Sequence, residues 1–137
     1  KGIVIEERKV LSQIVPEILD NKNPYVALSG PSFAKEIMKK NPTLAVLAGT
    51  DSEVVKRIQQ QLSGEFFRFY RSDDVLGVEL GGALKNPLAI GAGIIEGLGH
   101  GINTLAGFVT RGTSELLRIS TALGAQPATV NGLSGIG

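Results

Sequence analysis

The chain of 137 residues contains no cysteine, which excludes a disulfide framework and thiol-ligated metal ions. This absence fits a reducing compartment, and a cytoplasmic location is expected. The 14 Lys and Arg residues nearly balance the 13 Asp and Glu residues and form no basic stripe, so no nucleic-acid partner is expected. No apolar run approaches the roughly 20 residues of a membrane-spanning helix, so no membrane span is predicted.

The length and the 42% share of hydrophobic residues suit about one ordinary domain with a core. The chain begins at Lys1 without a methionine and stops at Gly137 in a glycine-rich stretch, so we expect the middle part of a longer protein. No Gly-x-Gly-x-x-Gly motif follows a predicted strand. A dinucleotide-binding fingerprint, if the protein has one, is therefore expected upstream of Lys1.

The first half of the chain alternates helix and strand patterns, which is typical of an α/β layer. Short apolar runs predict three strands, at 25–28, 43–48 and 66–70. The other predicted elements are a loop at 1–7, a helix at 10–21 that either kinks at Pro16 or begins near it, and a helix from Thr50 or Asp51 to about Leu62.

A Ser-Gly-Pro-Ser turn at 29–32 joins the first predicted strand to a following helix. The unpaired amides at a helix start are donors that can bind a ligand. Ser32 is therefore either the cap of that helix, with Glu36 nearby, or a ligand contact. The pattern alone leaves both roles open.

Strand patterns stop at Ser72, and the rest of the chain reads as helices. We therefore predict two units, at 1–72 and 73–137, with Asp73 capping the first helix of the second unit. The later predicted elements are a helix at 104–123 capped by Asn103 or Thr104, a short helix that begins at Pro127, and an open loop at 132–137.

Half of the 18 glycines lie between Gly77 and Gly107, although each glycine costs an exposed helix about 0.8–1 kcal/mol relative to alanine. Small residues repeat every four positions, in one row at 77 and 81 and in another at 89, 93 and 97. Such rows predict the close approach of another backbone. Pro87 predicts a bend just after Lys85 and Asn86.

Lys85 is the notable residue of this apolar, glycine-rich region, whose larger apolar side chains are expected to be buried: Val78, Leu80, Leu84, Leu88 and Ile90. A lysine there either extends its stem to water or uses its ammonium group for chemistry, and buried lysines often transfer protons. Glu79 on the same helix is expected to make a structural pair with a lysine, with orientation of Lys85 as the alternative. His100, between two glycines, is predicted to be an ordinary loop residue.

Four motifs resemble one enzyme family, in order and spacing, across essentially the whole chain. They are Lys1-Gly2, Ser-Gly-Pro-Ser-Phe-Ala-Lys-Glu at 29–36, Gly-Val-Glu-Leu-Gly-Gly-Ala-Leu-Lys-Asn at 77–86, and Gly-Leu-Ser-Gly-Ile-Gly at 132–137. Together they are similar to the NAD(P)-dependent glycerol-3-phosphate dehydrogenases of the bacterial and plastid type. One motif alone would be weak evidence for this family, whereas four motifs in the same order and spacing are specific evidence for it.

The resemblance implies a fold of α/β followed by all-α, in which the C-terminal part of a Rossmann-type domain joins the start of a helical substrate domain. It implies interconversion of dihydroxyacetone phosphate and sn-glycerol 3-phosphate by hydride transfer, with NAD or NADP as the cofactor. It also implies a small-molecule substrate, a homodimeric full-length protein, and a cytoplasmic location, or the plastid stroma in a plant.

The resemblance also assigns the site residues. Lys85 is implied to be the catalytic proton donor or acceptor at the C2 oxygen of the substrate, and Gly30 and Ser32 to hold the substrate. Lys1 is implied to contact both substrate and cofactor, and Ala34 to lie against the cofactor. Asn86 matches a second polar group beside the lysine. No metal ligand is implied.

The same family places its cofactor fingerprint before Lys1, and its aspartate and phosphate-binding arginine–asparagine pair after Gly137. The chain alone is therefore expected to be inactive. Two alternatives stay open. One is another two-domain reductase of the hydroxyacid or ketopantoate type, which shares the lysine–asparagine pair but not the 29–36 turn in this form. The other is a non-catalytic helical interaction module, which has no use for Lys85.

Overall fold

The computed structural model describes residues 2–137, so Lys1 and the contacts expected of it lie outside the described residues. The strands are β1 (Ile3–Val4), β2 (Lys9–Val10), β3 (Ala27–Ser29), β4 (Thr43–Ala48) and β5 (Phe67–Ser72). The helices are α1 (Val15–Ile18), α2 (Ala34–Met38), α3 (Ser52–Leu62), α4 (Val75–Leu84), α5 (Asn86–Gly97), α6 (Ile102–Ala122) and α7 (Pro127–Val130).

The first half is built on a three-stranded sheet in the order β3-β4-β5. β3 runs antiparallel to β4, and β5 runs parallel to β4 after the crossover through α3. Leu47, Val55 and Phe69 form the core between this sheet and α3. The predicted bounds of β4 are confirmed, and β3 and β5 each lie one to two residues later than predicted.

The start of α3 is confirmed as predicted. Asp51 accepts hydrogen bonds from the amides of Glu53 and Val54, both at 3.1 Å, which satisfies two donors of the first turn. Farther along, the side-chain amide of Gln59 donates to the carbonyl of Phe69 at 2.6 Å. This bond holds α3 against β5.

The helix α4 lies between the sheet and the remaining helices. Val78 packs against the sheet residues Ala27 and Ala48, whereas Leu80 packs against Leu116 and Val130 on the helical side. Burial on opposite faces explains why this helix is apolar nearly all round. The residue that follows it, Lys85, is thereby placed where the two halves of the chain meet.

The cap of α4 differs from the prediction. Asp74, not Asp73, accepts from the amide of Gly77, at 2.8 Å, and its second oxygen accepts from the amide of Gln126 at 2.9 Å. Asp73 is exposed, so its carboxylate stays in solvent. One buried carboxylate therefore caps α4 and also binds the residue before α7.

The N-terminal segment departs from the predicted loop and single helix. The predicted loop contains β1, which pairs with β2 in an antiparallel ladder of two residues. The predicted helix at 10–21 is instead a short 3₁₀ turn at Leu11–Gln13 followed by the four-residue α1. Pro16 occupies the first turn of α1, where its missing N–H costs nothing, so the helix begins beside it.

The helix is interrupted close to Pro87, as predicted, but at Lys85 rather than after Asn86, because α4 ends at Leu84 and α5 begins at Asn86. The glycine rows are only partly confirmed. Gly81 does meet another backbone, but Cβ atoms added at Gly93 or Gly97 would meet no described atom within 4 Å.

The α5–α6 contact uses different glycines from those predicted. A Cβ at Gly91 would lie 2.3 Å from the ring of Phe108, and one at Gly112 would lie 2.2 Å from the side chain of Leu88. Ile90, which the sequence pattern places in the interior, is 65% exposed because α6 covers the opposite face of α5.

Two further expectations in the helical half are corrected. α6 begins after Gly101 without a side-chain cap, so neither Asn103 nor Thr104 caps it. Residues 132–137 are not an open loop but a wound turn, described below. The helix that begins at Pro127 is confirmed. Over residues 2–137, no helix has the length and apolar character that crossing a membrane requires.

Candidate functional site

A cavity of about 570 Å³ lies where the β3–α2 turn faces the helical half. Its walls come from the β3–α2 turn, the α4–α5 junction, the facing side of α6, and the final turn of the chain. Four of its lining residues are Gly30, Ser32, Lys85 and Asn86. The structure thus brings together these four of the residues that the sequence marked at 29–36 and 77–86.

The turn that carries Gly30 is pressed against β4. Gly30 is buried and has a φ of +144°, a region that favours glycine. A Cβ at this position would lie 2.9 Å from Cα of Ala45 and 3.0 Å from the carbonyl oxygen of Leu44. Because those neighbours are backbone atoms, only glycine lets the turn lie this close to the sheet.

Ser32 does not cap α2. The residue before α2 is Phe33, which makes no side-chain capping bond, whereas the Ser32 hydroxyl donates to the carbonyl of Gly30 at 3.2 Å. This bond closes the turn on itself and leaves the lone pairs of the hydroxyl oxygen as acceptors. Of the two roles that the sequence left open, capping is excluded, and contact with a ligand stays a prediction.

Lys85 is half-buried between α4 and α5. Its Nζ donates to the carbonyl oxygen of Gly137 at 2.8 Å. An ammonium group has three N–H donors, so two remain for a ligand in the cavity. Among the described residues that line the cavity, Lys85 carries the one cationic side chain.

The other sequence-marked residues are less central. Asn86 lines the cavity and is exposed, at the first position of α5. Ala34 does not line the cavity; it is exposed at the first position of α2, beside Phe33, which does line it. Lys1 lies outside the described residues.

Several lining residues were not singled out from the sequence, among them Phe33, Ile136 and Thr113. Phe33, 74% exposed, stands on one wall, and Ile136 lies on the turn that forms another. Thr113 adds a hydroxyl from α6. Phe33 and Ile136 belong to the recognised motifs, so their positions were a usable signal, whereas nothing local distinguishes Thr113 from its helical neighbours.

The cavity has the size and the walls of a small-molecule site, which fits the cofactor and small substrate that the resemblance implies. Its volume falls in the usual range for ligand pockets, and its walls are largely apolar, from residues such as Leu88, Ala92 and Val109. Within residues 2–137, no group of three His, Cys, Asp or Glu side chains could hold a metal ion.

Among the described residues, no lysine forms an ion pair with Glu79, which precedes Lys85 by six residues on α4. Glu79 is 2% exposed and accepts from the amide of Ser12 at 3.0 Å and from the hydroxyl of Tyr25 at 2.6 Å. The hydroxyl of Ser12 also donates to it. The lysine pair expected for Glu79 is therefore not found among the described residues, and its structural partners are neutral donors instead.

We call the hydrogen bonds that Ser12 and Tyr25 donate to the Glu79 carboxylate the Glu79 anchor. Because Tyr25 provides one of them, part of the anchor is sensitive to alkaline pH. Burial first, and then the hydrogen bond and negative charge of Glu79, raise the pKa of Tyr25 well above its ordinary value near 10. A raised pKa means that the folded state holds the phenol proton more tightly than the unfolded state does. The resulting stability is complete below about pH 10 and is lost as the pH rises beyond it.

We expect Tyr25→Phe to lower the free energy of unfolding by about 1–2 kcal/mol at pH 7, because Glu79 loses a donor. The difference from the wild type should shrink at pH 11, since the wild type loses its advantage there. Urea unfolding at both pH values measures this. Tyr70→Phe, at an exposed tyrosine on β5, is the matched control. If Tyr25→Phe lowers the free energy of unfolding equally at both pH values, the pH-dependent role of Tyr25 is contradicted.

Two family models match the chain, one over each half. The NAD-dependent glycerol-3-phosphate dehydrogenase N-terminus matches residues 1–55, and the C-terminus of the same family matches residues 74–137. The α/β half and the helical half thus both match an NAD-dependent oxidoreductase. The chain belongs to the NAD-dependent glycerol-3-phosphate dehydrogenase family.

Individual relatives agree with this assignment. The chain is 48% identical to a glycerol-3-phosphate dehydrogenase [NAD(P)+] of Citrifermentans bemidjiense and 46% identical to a chloroplastic glycerol-3-phosphate dehydrogenase [NAD(+)] of Arabidopsis thaliana. Both alignments cover all of this chain but only 42% and 33% of those proteins. The chain therefore spans less than half the length of these curated relatives.

A solved structure shows the same fold. The crystal structure of glycerol-3-phosphate dehydrogenase from Coxiella burnetii matches with a TM-score of 0.93 at 39% identity, over 100% of this chain and 42% of that one. The expected fold class, α/β of the Rossmann type followed by all-α, is confirmed. The family match favours the resemblance over both alternatives.

Proposed function

We propose that this chain forms the central part of an enzyme that interconverts dihydroxyacetone phosphate and sn-glycerol 3-phosphate with NAD or NADP. The observation that carries the proposal is the single cavity that joins the Gly30–Ser32 turn to Lys85. The family membership and the names of the relatives support this reaction. The mechanism below follows from the residues that line the cavity.

The substrate would be oriented by the sheet side of the cavity. The Gly30 turn is held rigidly on β4, and the Ser32 oxygen can accept a hydrogen bond from a substrate hydroxyl. Across the cavity, the free N–H groups of Lys85 can donate to the C2 oxygen, and the amide of Asn86 adds a second polar group. Two-sided contact of this kind fixes the reacting carbon.

Lys85 would supply the proton. The chemistry that bound NADH or NADPH would supply is hydride transfer to C2, after which the C2 oxygen would carry the electron pair of the former carbonyl bond. Lys85 Nζ stabilises that negative charge and gives its proton to the oxygen, which yields the hydroxyl of sn-glycerol 3-phosphate. The neutral amine regains a proton from solvent. In the reverse direction, the amine accepts the hydroxyl proton.

The remaining parts of the proposal concern the whole protein. We propose that 1–72 belongs to the cofactor-binding domain and 73–137 to the helical substrate domain, and that Ala34 and Lys1 contact the cofactor. Lys1 would also contact the substrate. A homodimer and a location in the cytoplasm or plastid stroma belong to the same proposal. The expectation of no nucleic-acid partner stays a prediction.

We expect the full-length enzyme to oxidise NADH or NADPH when dihydroxyacetone phosphate is added, and the 137-residue chain to give no turnover. The described cavity offers one cation for a phosphorylated substrate and no glycine-rich phosphate loop, so the isolated chain lacks much of the site. Absorbance of the reduced cofactor measures both reactions.

The substrate specificity of the full-length enzyme separates the proposal from its alternative. Turnover with ketopantoate or a 2-keto acid, but not with dihydroxyacetone phosphate, would favour the other class of two-domain reductase. Turnover by the isolated chain would contradict the prediction that this chain carries only part of the site.

A further inference from the structure

The final segment of the chain is attached to α4 at three levels. We call residues 126–137, which comprise α7 and the turns after it, the α7 bracket. At the start of α4, Asp74 accepts from the amide of Gln126 at 2.9 Å. At its end, Lys85 Nζ donates to the carbonyl of Gly137 at 2.8 Å. Between them, Gly81 lies against Gly135.

The middle contact joins backbone to backbone. A Cβ added at Gly81 would lie 3.0 Å from both Cα and N of Gly135 and 3.1 Å from the carbonyl carbon of Ser134. Backbone atoms cannot rotate out of the way as a flexible side chain can. An alanine at position 81 must therefore push the bracket away from α4 by a few tenths of an ångström.

Hydrogen bonds within the α7 bracket prevent a displacement at Gly135 from being relieved locally. The amides of Gly135, Ile136 and Gly137 all donate to the carbonyl of Gly132, at 3.2, 3.1 and 3.3 Å. The buried hydroxyl of Ser134 donates to the carbonyl of Thr129 at 3.0 Å. A displacement at Gly135 is therefore passed on to the Gly137 carbonyl.

We infer that the α7 bracket positions the Lys85 amine, with Gly81 and Gly135 as positioning residues. The lysine side chain has four rotatable bonds, and its bond to a fixed carbonyl selects one direction for Nζ. Gly81 precedes Lys85 by one helical turn and lies on the same side of α4, so the glycine contact holds that carbonyl in place. This inference rests on the proposed function, because it concerns the same lysine.

Gly81→Ala in the full-length enzyme tests the inference. We expect kcat with dihydroxyacetone phosphate to fall about 3- to 10-fold, because a shift of about 1 Å in a reacting group can cost 10²-fold and the expected shift is a few tenths of an ångström. The KM for the reduced cofactor should change less than about twofold, since Gly81 does not line the cavity. The solvent deuterium isotope effect on kcat should rise as proton transfer becomes slower.

Gly107→Ala is the matched control. Gly107 is an exposed glycine within α6, and a Cβ added there would meet no described atom within 4 Å. This substitution makes the same chemical change in a helix without touching the bracket. We expect kcat, KM and the isotope effect to stay within about twofold of the wild type.

Asp74→Asn is the second variant, for use if Gly81→Ala does not fold. Asparagine still caps α4 through its oxygen, but its amide group replaces the acceptor that holds Gln126. We expect kcat to fall in the same direction, by about 3- to 10-fold, again with an unchanged KM for the cofactor.

The outcomes separate the inference from the proposed function. Wild-type kcat and isotope effect in folded Gly81→Ala, or in Asp74→Asn if the first variant does not fold, would overturn positioning by the bracket. If Lys85→Ala still abolishes turnover in that case, the proposed function survives alone. If Lys85→Ala also retains turnover, the proposed function itself fails.

Discussion

Lys85→Ala in the full-length enzyme is expected to lower kcat with dihydroxyacetone phosphate by about 10³-fold while the protein stays folded. General acid–base groups typically contribute 10²- to 10⁴-fold, and this lysine would also stabilise the developing charge on the C2 oxygen. The fold should survive because Lys85 is half-buried and makes one hydrogen bond, to Gly137. Steady-state kinetics together with circular dichroism measure both expectations.

Two further lysine variants identify what the amine does. Lys85→Arg keeps the positive charge but does not readily give up a proton, so it should recover only the electrostatic part of the loss. Lys56→Ala, at an exposed lysine on α3, is the matched control and should leave kcat unchanged. A raised KM with an unchanged kcat in Lys85→Ala would mean that the lysine only binds substrate. Retained activity would remove Lys85 from the mechanism.

Local structure was predicted well where the cause of an element lies within its own few residues. Asp51 at the start of α3, the helix interruption close to Pro87 and the helix that begins at Pro127 each follow from one side chain acting on its nearest backbone. The bounds of β4 follow from a compact apolar run. None of these elements depends on a distant partner.

The predictions failed where several positions of similar local chemistry were decided by tertiary contacts. Asp73 and Asp74 are equivalent in sequence, but only Asp74 is buried where it can also bind the amide of Gln126. In the same way, Gly93 was predicted to meet another backbone, but the side chain of Phe108 fills the space beside Gly91 instead. Spacing identifies candidates, and packing selects among them.

The site was predictable from motifs but not from periodicity. The motifs at 29–36 and 77–86 named Gly30, Ser32 and Lys85, and the fold brings these residues to one cavity. Their catalytic and binding roles stay predictions. The Gly137 carbonyl could not have been predicted as the partner of Lys85, because that bond joins residues 52 positions apart through a turn that the sequence suggested was open.

Glu79→Ala is expected to lower the free energy of unfolding by about 3 kcal/mol. The buried carboxylate is the acceptor for the amide and hydroxyl of Ser12 and for the hydroxyl of Tyr25. Alanine leaves these donors without an acceptor, and each unsatisfied buried group costs about 1–3 kcal/mol. Part of that cost is offset, because the variant no longer buries a charge. Urea unfolding of the variant measures the net change.

Glu79→Gln separates the loss of the acceptor oxygens from the removal of the buried charge. Glutamine keeps the shape and one acceptor oxygen, so we expect a loss of about 1 kcal/mol rather than 3. Glu65→Ala, at an exposed glutamate, is the control and should change stability by less than about 0.5 kcal/mol. An alanine variant as stable as this control would show that Glu79 is not an anchor.

Amide hydrogen exchange, measured residue by residue, distinguishes loss of the Glu79 anchor from general destabilisation. Glu79 ties the 3₁₀ turn at Leu11–Gln13 and the segment that leads into β3 to the middle of α4. The amide of Ser12 should therefore exchange its hydrogen much faster in Glu79→Ala, whereas amides in β4, held by both neighbouring strands, should change only with global stability. Because α4 also leads directly to Lys85, a loss of kcat in this variant with normal exchange in β4 would mean that the anchor fixes the position of the lysine-bearing helix as well as its stability.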